Sequence, residues 1–389
     1  MTEFGSSRRI LDGVRVVDFT RVVAGPFCSR MLADLGADVV KVDQPSAGGG
    51  GNAAERPAGS LSNNLGKRSV VLDLKQPGAG RAARALIARA DVVVENFRPG
   101  VMASLGLGYQ DCTALNPRIV YASISGFGQS GSHSHRRAFG ATAHAEAGWL
   151  WVQQQAMGAP EPFAPGVTVA DLVTGMTAFS GILAALYDRE HTGRGQHVDV
   201  SLMDCQFQML SEVAGPTLNG QPPESWEPFR HPIHRTRDGR HVTINLGPPH
   251  MWPRIASALG HEGTPRPPTA AEANALVGAW VAQLDSSDIG PEIDRSGAAY
   301  GMTLSMHEAA AHPYFRERGM IAEVQDPVVG ALRVVDSPLF FSDSVSQARD
   351  PAALLGEHTR EVLHEAGLSE EDVEALLESG AATEVRSPR

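Results

Sequence analysis

Between residues 14 and 124 the chain alternates short apolar runs with helical patterns, and no other feature limits its fold so tightly. VRVVDF at 14–19, ADVVKVD at 37–43, the run at 69–74, DVVVEN at 91–96 and RIVYASI at 118–124 each read as a strand. Runs that are apolar at nearly every position belong to strands buried on both faces, as in parallel sheets. Segments of helical period lie between them: Phe27, Met31, Leu32 and Leu35 within 25–35, then residues 80–90. Strand–helix alternation at this spacing predicts an α/β fold with a mainly parallel sheet covered by helices.

That layout is Rossmann-like, but the nucleotide fingerprint is missing. After Asp18 the turn reads FTRVVAGP, with no G-x-G-x-x-G. Gly48–Gly51 opens no evident helix and lacks the Lys-Ser/Thr of a phosphate loop, so it reads as a flexible surface loop. A dinucleotide is therefore not implied.

A chain of 389 residues is long for one core, so two domains are expected. Composition shifts near Gly215, and residues 219–232 are rich in Pro and polar side chains. An alternating run at 241–246 and helical patterns at 252–259 and 274–284 follow. These place a small α+β domain at 218–323, with 1–217 and 324–389 forming the large α/β domain. Residues 330–341 read as β-rich and 355–377 as helical. The first ten residues and 381–389 read as a frayed arm and a disordered tail.

The formal net charge is −11 with no long basic run, which argues against nucleic acid as the partner. Cys28, Cys112 and Cys205 are far apart and show no metal-ligand spacing; they read as small buried side chains of a reduced, cytoplasmic protein. No segment reads as the ~18 apolar residues that span a bilayer, and MTEFGSSRRI lacks the apolar core of a signal peptide.

Residues 166–205 carry the chemistry. Asp171 stands just ahead of a long apolar helix pattern, in which Leu172, Met176, Phe179, Leu183 and Leu186 form a predicted buried stripe. Gly175, Ala178, Gly181 and Ala185 would let another backbone approach. The helix is expected to end at Thr192-Gly193-Arg194-Gly195-Gln196, before a strand at 197–202. Asp171 has two readings. It is a helix cap, a role Asp commonly takes. Or it is a carboxylate held ionised at the positive end of a helix, where it can attack an activated acyl group.

This segment resembles the nucleophile region of the class III CoA-transferases, the family of formyl-CoA transferase, the carnitine CoA-transferases and alpha-methylacyl-CoA racemase. The resemblance runs almost end to end. It includes LDGVRVVDF at 11–19, Ala24-Gly25-Pro26, GADVVKV at 36–42, KRSVVLDLK at 67–75 and VENFRPG at 94–100. Asn116-Pro117-Arg118, Ser125-Gly126-Phe127-Gly128, HPYFRERGM at 312–320 and LGEHT at 355–359 continue it. It implies a large α/β domain built from both chain ends, a small domain, and a homodimer of two interlinked, ring-like chains. It implies that Asp171 is the nucleophile of a transfer from an acyl-CoA donor to a carboxylic acid, without metal or redox cofactor or membrane partner. It also implies that Val22, Leu72, Lys75, Asn96, Phe97 and Arg137 line the CoA site, with Arg98 and Arg68 nearby. Without the resemblance the Lys and Arg residues read as solvated charges and Leu72 as core.

Two departures matter. Formyl-CoA transferase has a Gln after the position matching Val22, where this chain has Val23, so formate and oxalate are not carried over. The racemases place a His-Asp pair where this chain has Phe139-Gly140. Phe cannot move a proton, which argues against a 2-methylacyl-CoA racemase with Asp171 as base. His144 reads as a structural helix histidine or as a substitute base. His133, His135, His231, His234 and His241 form no zinc pattern, and the HSHRR run reads as a mobile loop near the CoA entrance. Trp149 and Trp151 read as core or as walls of an acyl site. A non-catalytic CoA-binding homologue is the remaining alternative, and an NAD-dependent oxidoreductase rests on layout alone.

Overall fold

The computed structural model describes residues 8–45, 58–222, 226, 232–347 and 350–385. The predicted loop at Gly48–Gly51, His231 and most of the N-terminal arm lie outside them. The chain divides into two compact units, Met1–Trp226 with Arg318–Arg389, and Glu227–Glu317.

The first unit holds a seven-stranded sheet. Its strands are β1 (Arg15–Asp18), β2 (Asp38–Asp43), β3 (Arg68–Leu72), β4 (Val92–Glu95), β5 (Val120–Ser125), β6 (His197–Ser201) and, from the far end of the chain, β12 (Ala382–Thr383). The order is β12-β3-β2-β1-β4-β5-β6. All pairs are parallel except β12 on β3, where Ala382 faces Leu72. This is the mixed α/β, mostly parallel sheet expected from the alternation.

Both faces are buried, which is why the strands look continuously apolar. Val17, Val40, Val42, Val93 and Tyr121 point into one core, with the helix Pro77–Ala88 and the C-terminal helices. Val16, Val39, Val92, Val94, Val120 and Ala122 point into the other, with the helices Ala24–Asp34 and Val169–Thr192.

The long helix Val169–Thr192 differs from its predicted face. Its buried side is Thr174, Gly175, Ala178, Phe179, Ile182, Ala185 and Leu186, whereas Met176 is 50% exposed. Packing against the helix Ala24–Asp34 demands small residues: a Cβ on Gly175 would lie 2.6 Å from the Ala24 carbonyl oxygen. The helix is also long and apolar enough by composition to cross a membrane, contrary to the sequence reading. Here half of the sheet and the first helix cover one side of it.

Two further expectations are corrected. Residues 382–383 form an edge strand rather than a disordered tail, because β3 would otherwise leave its backbone unpaired. The helical pattern at 355–377 is two helices, Thr359–Glu365 and Glu370–Glu378, the second capped by Ser369 Oγ accepting the Asp372 N–H.

The second unit has an antiparallel sheet of β7 (Ile233–Arg235), β8 (His241–Ile244) and β9 (Tyr300–Met302). Val242, Ile244, Trp252, Val277, Trp280 and Ile289 form its core. Back in the first unit, β10 (Ile321–Asp326) and β11 (Gly330–Val335) form a hairpin.

Candidate functional site

The order β3-β2-β1-β4-β5-β6 is doubly wound, and it reverses direction between β1 and β4. Loops after adjacent strands diverge at such a point and leave a crevice at the carboxyl ends of the strands. A cavity of about 230 Å³ lies there. Arg21, Val22, Val23 and Ala24 line it after β1, Asn96 and Phe97 after β4, and Ser125 and Gly126 at the end of β5. Phe139, Asp171 and Leu202 complete the wall.

The loop after β1 is fixed from two sides. Below it, the fully buried Asp18 carboxylate accepts the Thr20 N–H (2.8 Å), the Thr20 hydroxyl (2.6 Å), the Ser29 hydroxyl (2.6 Å) and Lys67 Nζ (3.1 Å). Burial alone would raise the Asp18 pKa, but Lys67, Lys41 and the two hydroxyls outweigh it and hold the carboxyl below its ordinary range. Burial pushes the Lys67 ammonium down to about 8 against the pull of Asp18.

On the other side Asn96 clamps one peptide unit of the loop. Its Oδ1 accepts the Arg21 N–H (2.8 Å) and its Nδ2 donates to the Arg21 carbonyl (2.7 Å). The next residue, Val22, has φ +70°, and among the described residues no other non-glycine lies at positive φ. A β-branched side chain there is strained, and such strain clusters where function requires it. Glu95, pushed by burial up to about 7, accepts the Phe97 N–H at 2.9 Å.

Asp171 reaches the cavity from the first turn of the helix Val169–Thr192 rather than from its cap, which is Thr168. It is 8% exposed. Its carboxylate presses on the backbone of Gly140, where a Cβ would sit 2.2 Å from Oδ2, so only glycine fits. Burial raises its pKa, with its own backbone N–H opposing. Desolvation therefore outweighs the helix end that was expected to hold it ionised, and the carboxylate is more basic than usual.

His144, on the helix Gly140–Glu146, is buried, and its Nε2 accepts the Ala170 N–H at 3.0 Å. Burial lowers its pKa, as suits an acceptor. It lines a separate hollow with Leu150, Val167 and Leu172. Trp149 is tilted against it at 6.3 Å, and Trp151 against Trp226 at 6.3 Å.

The cavity thus brings Asp171 together with Val22, Asn96 and Phe97. Both polar ends of Asn96 are taken by Arg21, so it shapes the loop. The Leu72 side chain is fully buried in the core among Val42, Val70 and Leu74, as its core reading has it, and offers a ligand no surface. Lys75, Arg98 and Arg137 are exposed and outside the cavity wall. Arg68 pairs with Asp38 at 2.6 Å. The HSHRR run forms a turn in which Arg136 binds Glu146 and lies 4.5 Å from the Phe127 centroid. Arg21 and Gly140 were not singled out from sequence as site groups in their own right. Among the described residues no cluster of three or more His, Cys, Asp or Glu is placed to hold a metal.

Fold and cavity together define an α/β protein with a small cleft at its switch point and a buried basic carboxylate in the cleft wall. The profile of CoA-transferase family III matches residues 11–359, and the chain belongs to that family. It is an enzyme, a CoA-transferase whose substrates are CoA thioesters. It is 32% identical to succinyl-CoA:glutarate CoA-transferase of Mus musculus over 96% of this chain and 90% of the relative. It is 30% identical to formyl-CoA:oxalate CoA-transferase of Rhodopseudomonas palustris over 97% and 98%. Crystal structures of Rv3272 from Mycobacterium tuberculosis (TM-score 0.81, 28% identity, 92% and 99% covered) and of a CAIB/BAIF family protein from Brucella suis (0.79, 29%, 92% and 100%) share the fold.

Proposed function

We propose that the enzyme moves CoA from an acyl-CoA donor to a free carboxylic acid through covalent intermediates on Asp171. The observation that carries this reading is the Asp171 carboxylate, desolvated and pressed on Gly140 in the wall of the switch-point cavity. A carboxylate oxygen attacks the donor thioester carbonyl, the C–S bond breaks, and a mixed anhydride and CoA thiolate result. The thiolate then attacks the aspartyl carbonyl and releases the donor acid, leaving an aspartyl–CoA thioester. The acceptor carboxylate expels the thiolate from this thioester, and the thiolate attacks the acceptor carbonyl of the second anhydride. That step returns Asp171 as a carboxylate, and no net proton is consumed. Covalent catalysis divides one difficult exchange into easier ones.

We assign the CoA phosphates to the exposed cations Lys75, Arg98 and Arg137, which an acidic chain must place locally. We further propose a homodimer. Three free, buried cysteines fit a reducing, cytoplasmic setting. Racemisation needs a second acid–base group across the substrate α-carbon. Phe139 has none, and His144 Nε2 already accepts the Ala170 N–H.

Intact-protein mass spectrometry with a panel of acyl-CoAs and hydroxylamine tests the reading. A hydroxamate at Asp171 is expected in the native enzyme, and no adduct with no transfer in a folded Asp171→Ala variant. Near-normal transfer by that variant overturns it.

A further inference from the structure

We propose that His144 is a positioning residue for Asp171: its neutral ring occupies the backbone N–H just ahead of the nucleophile, so that the carboxylate is left to face the switch-point cavity. This rests on the transferase reading above and names a residue that serves it without touching substrate.

The N–H groups at the start of the helix Val169–Thr192 can be accounted for one by one. The side chain of Thr168, the cap residue, bonds none of them. The Val169 N–H donates to the Val167 carbonyl at 3.0 Å, and the Leu172 N–H opens the helical ladder on the Thr168 carbonyl at 3.1 Å. The Asp171 N–H turns to its own carboxylate, which takes no other protein donor among the described residues. That leaves the Ala170 N–H, on a buried residue, as an orphan donor of the kind a helix end must satisfy. His144 Nε2 accepts it at 3.0 Å from outside the helix. A nitrogen that accepts carries no proton, so the proton of the neutral ring sits on Nδ1.

A carboxylate in the first turn of a helix readily takes a free backbone N–H, as capping residues do. Without His144, Asp171 would turn back to Ala170. A carboxylate with a second N–H donor is less basic, and its oxygens are drawn onto the backbone and away from a thioester. One short helix prevents this at two points. Gly140 and His144 lie one turn apart on the helix Gly140–Glu146, hence on one face. Gly140 backs the carboxylate, with no room for a Cβ, and His144 holds the peptide ahead of it. Trp149 lies against the imidazole, with ring centroids 6.3 Å apart. His144 lines a different hollow from the cavity that Asp171 faces, so it acts through Asp171 and not on the acyl group.

The test compares native enzyme with His144→Gln, His144→Leu and His144→Asn. Gln places its Oε1 where Nε2 stands, Leu offers no acceptor, and the Oδ1 of Asn falls at the Nδ1 position, short of Ala170. The probe is the acyl-CoA that labels native Asp171 fastest in the panel above. The rate of adduct formation at saturation and the half-saturating concentration are both measured, with folding checked by circular dichroism. Misplacing a reacting group by ~1 Å can cost ~100-fold in rate. The saturated rate is therefore expected to fall about 100-fold in His144→Leu and His144→Asn, with the half-saturating concentration within about twofold of native. His144→Gln should recover most of the rate. If His144→Leu does not fold, His144→Asn takes its place. Native rates in folded His144→Leu or His144→Asn overturn the proposal, and so does a His144→Gln variant as slow as they are. A rise in half-saturating concentration that accounts for the lost rate also overturns it. All three results leave the transferase reading standing, whereas a native enzyme that forms no Asp171 adduct with any acyl-CoA sinks both.

Discussion

At the residue scale, Asp171 is held between two demands. In the proposed mechanism it must ionise to attack, yet burial favours its neutral form. Its folded pKa is raised, so the folded state binds the proton more tightly than the unfolded state. Stability contributed by this group is therefore lost as pH rises from the unfolded value of 3.8 through the folded one. Under the proposed mechanism activity runs the other way, because the carboxylate is the attacking form. We predict that the acidic limb of kcat/KM lies above 3.8 and that Asp171→Asn is inactive yet more stable than the native enzyme at neutral pH. The gain in melting temperature should shrink as pH is lowered. An acidic limb at or below 3.8, or a gain independent of pH, would falsify this account. The position of Asp171 was legible through the motif around it. The shape of the loop after β1 was not, since it depends on Asn96, 75 residues from Arg21, and on a backbone torsion at Val22 that no pattern encodes. Lys75, Arg98 and Arg137 are exposed and lie outside the cavity wall, and at the surface spacing gives no direction.

At the element scale, the strands were readable because both faces of the sheet are buried, so every position reports burial. The helix Val169–Thr192 was readable in extent but not in orientation. Its larger apolar residues suggested one face, and the sheet side uses the smaller ones, because the neighbouring helix backbone comes close. Strand β12, at two residues, is too short to carry a period. The close approach yields a prediction. In Gly175→Ala the new methyl would meet the Ala24 carbonyl at 2.6 Å and Phe27 Cδ1 at 3.1 Å, and backbone cannot rotate away as a side chain can. Overpacking of this kind costs about 1–3 kcal/mol, more than alanine gains over glycine in helix propensity. Urea titration should show a lower midpoint with an unchanged slope. A midpoint equal to or above that of the native protein would show that the two helices have room to separate.

At the scale of the whole molecule, the first unit exposes several large apolar side chains. Met157 is 67% exposed, Tyr187 72%, Leu218 73%, Met176 50% and Phe207 46%. Of these, Phe207 also walls an apolar groove, together with Trp151, Val152, Leu210 and Val213. Scattered exposed hydrophobics are ordinary, but a contiguous apolar patch marks an interaction surface. On the homodimer proposed above, the occupant is a second copy of this chain, because symmetric self-association is the commonest way soluble chains bury such a face. No period or composition signal gives this groove, since its walls come from separate helices. We predict that light scattering coupled to gel filtration gives twice the 41.3 kDa chain mass. Phe207→Asp with Val213→Asp would put two charges into the groove, and a buried unpaired charge is costly, so the mass should fall towards that of one chain. A native protein that elutes at the mass of one chain across micromolar concentrations would exclude the dimer and leave the groove to a different partner.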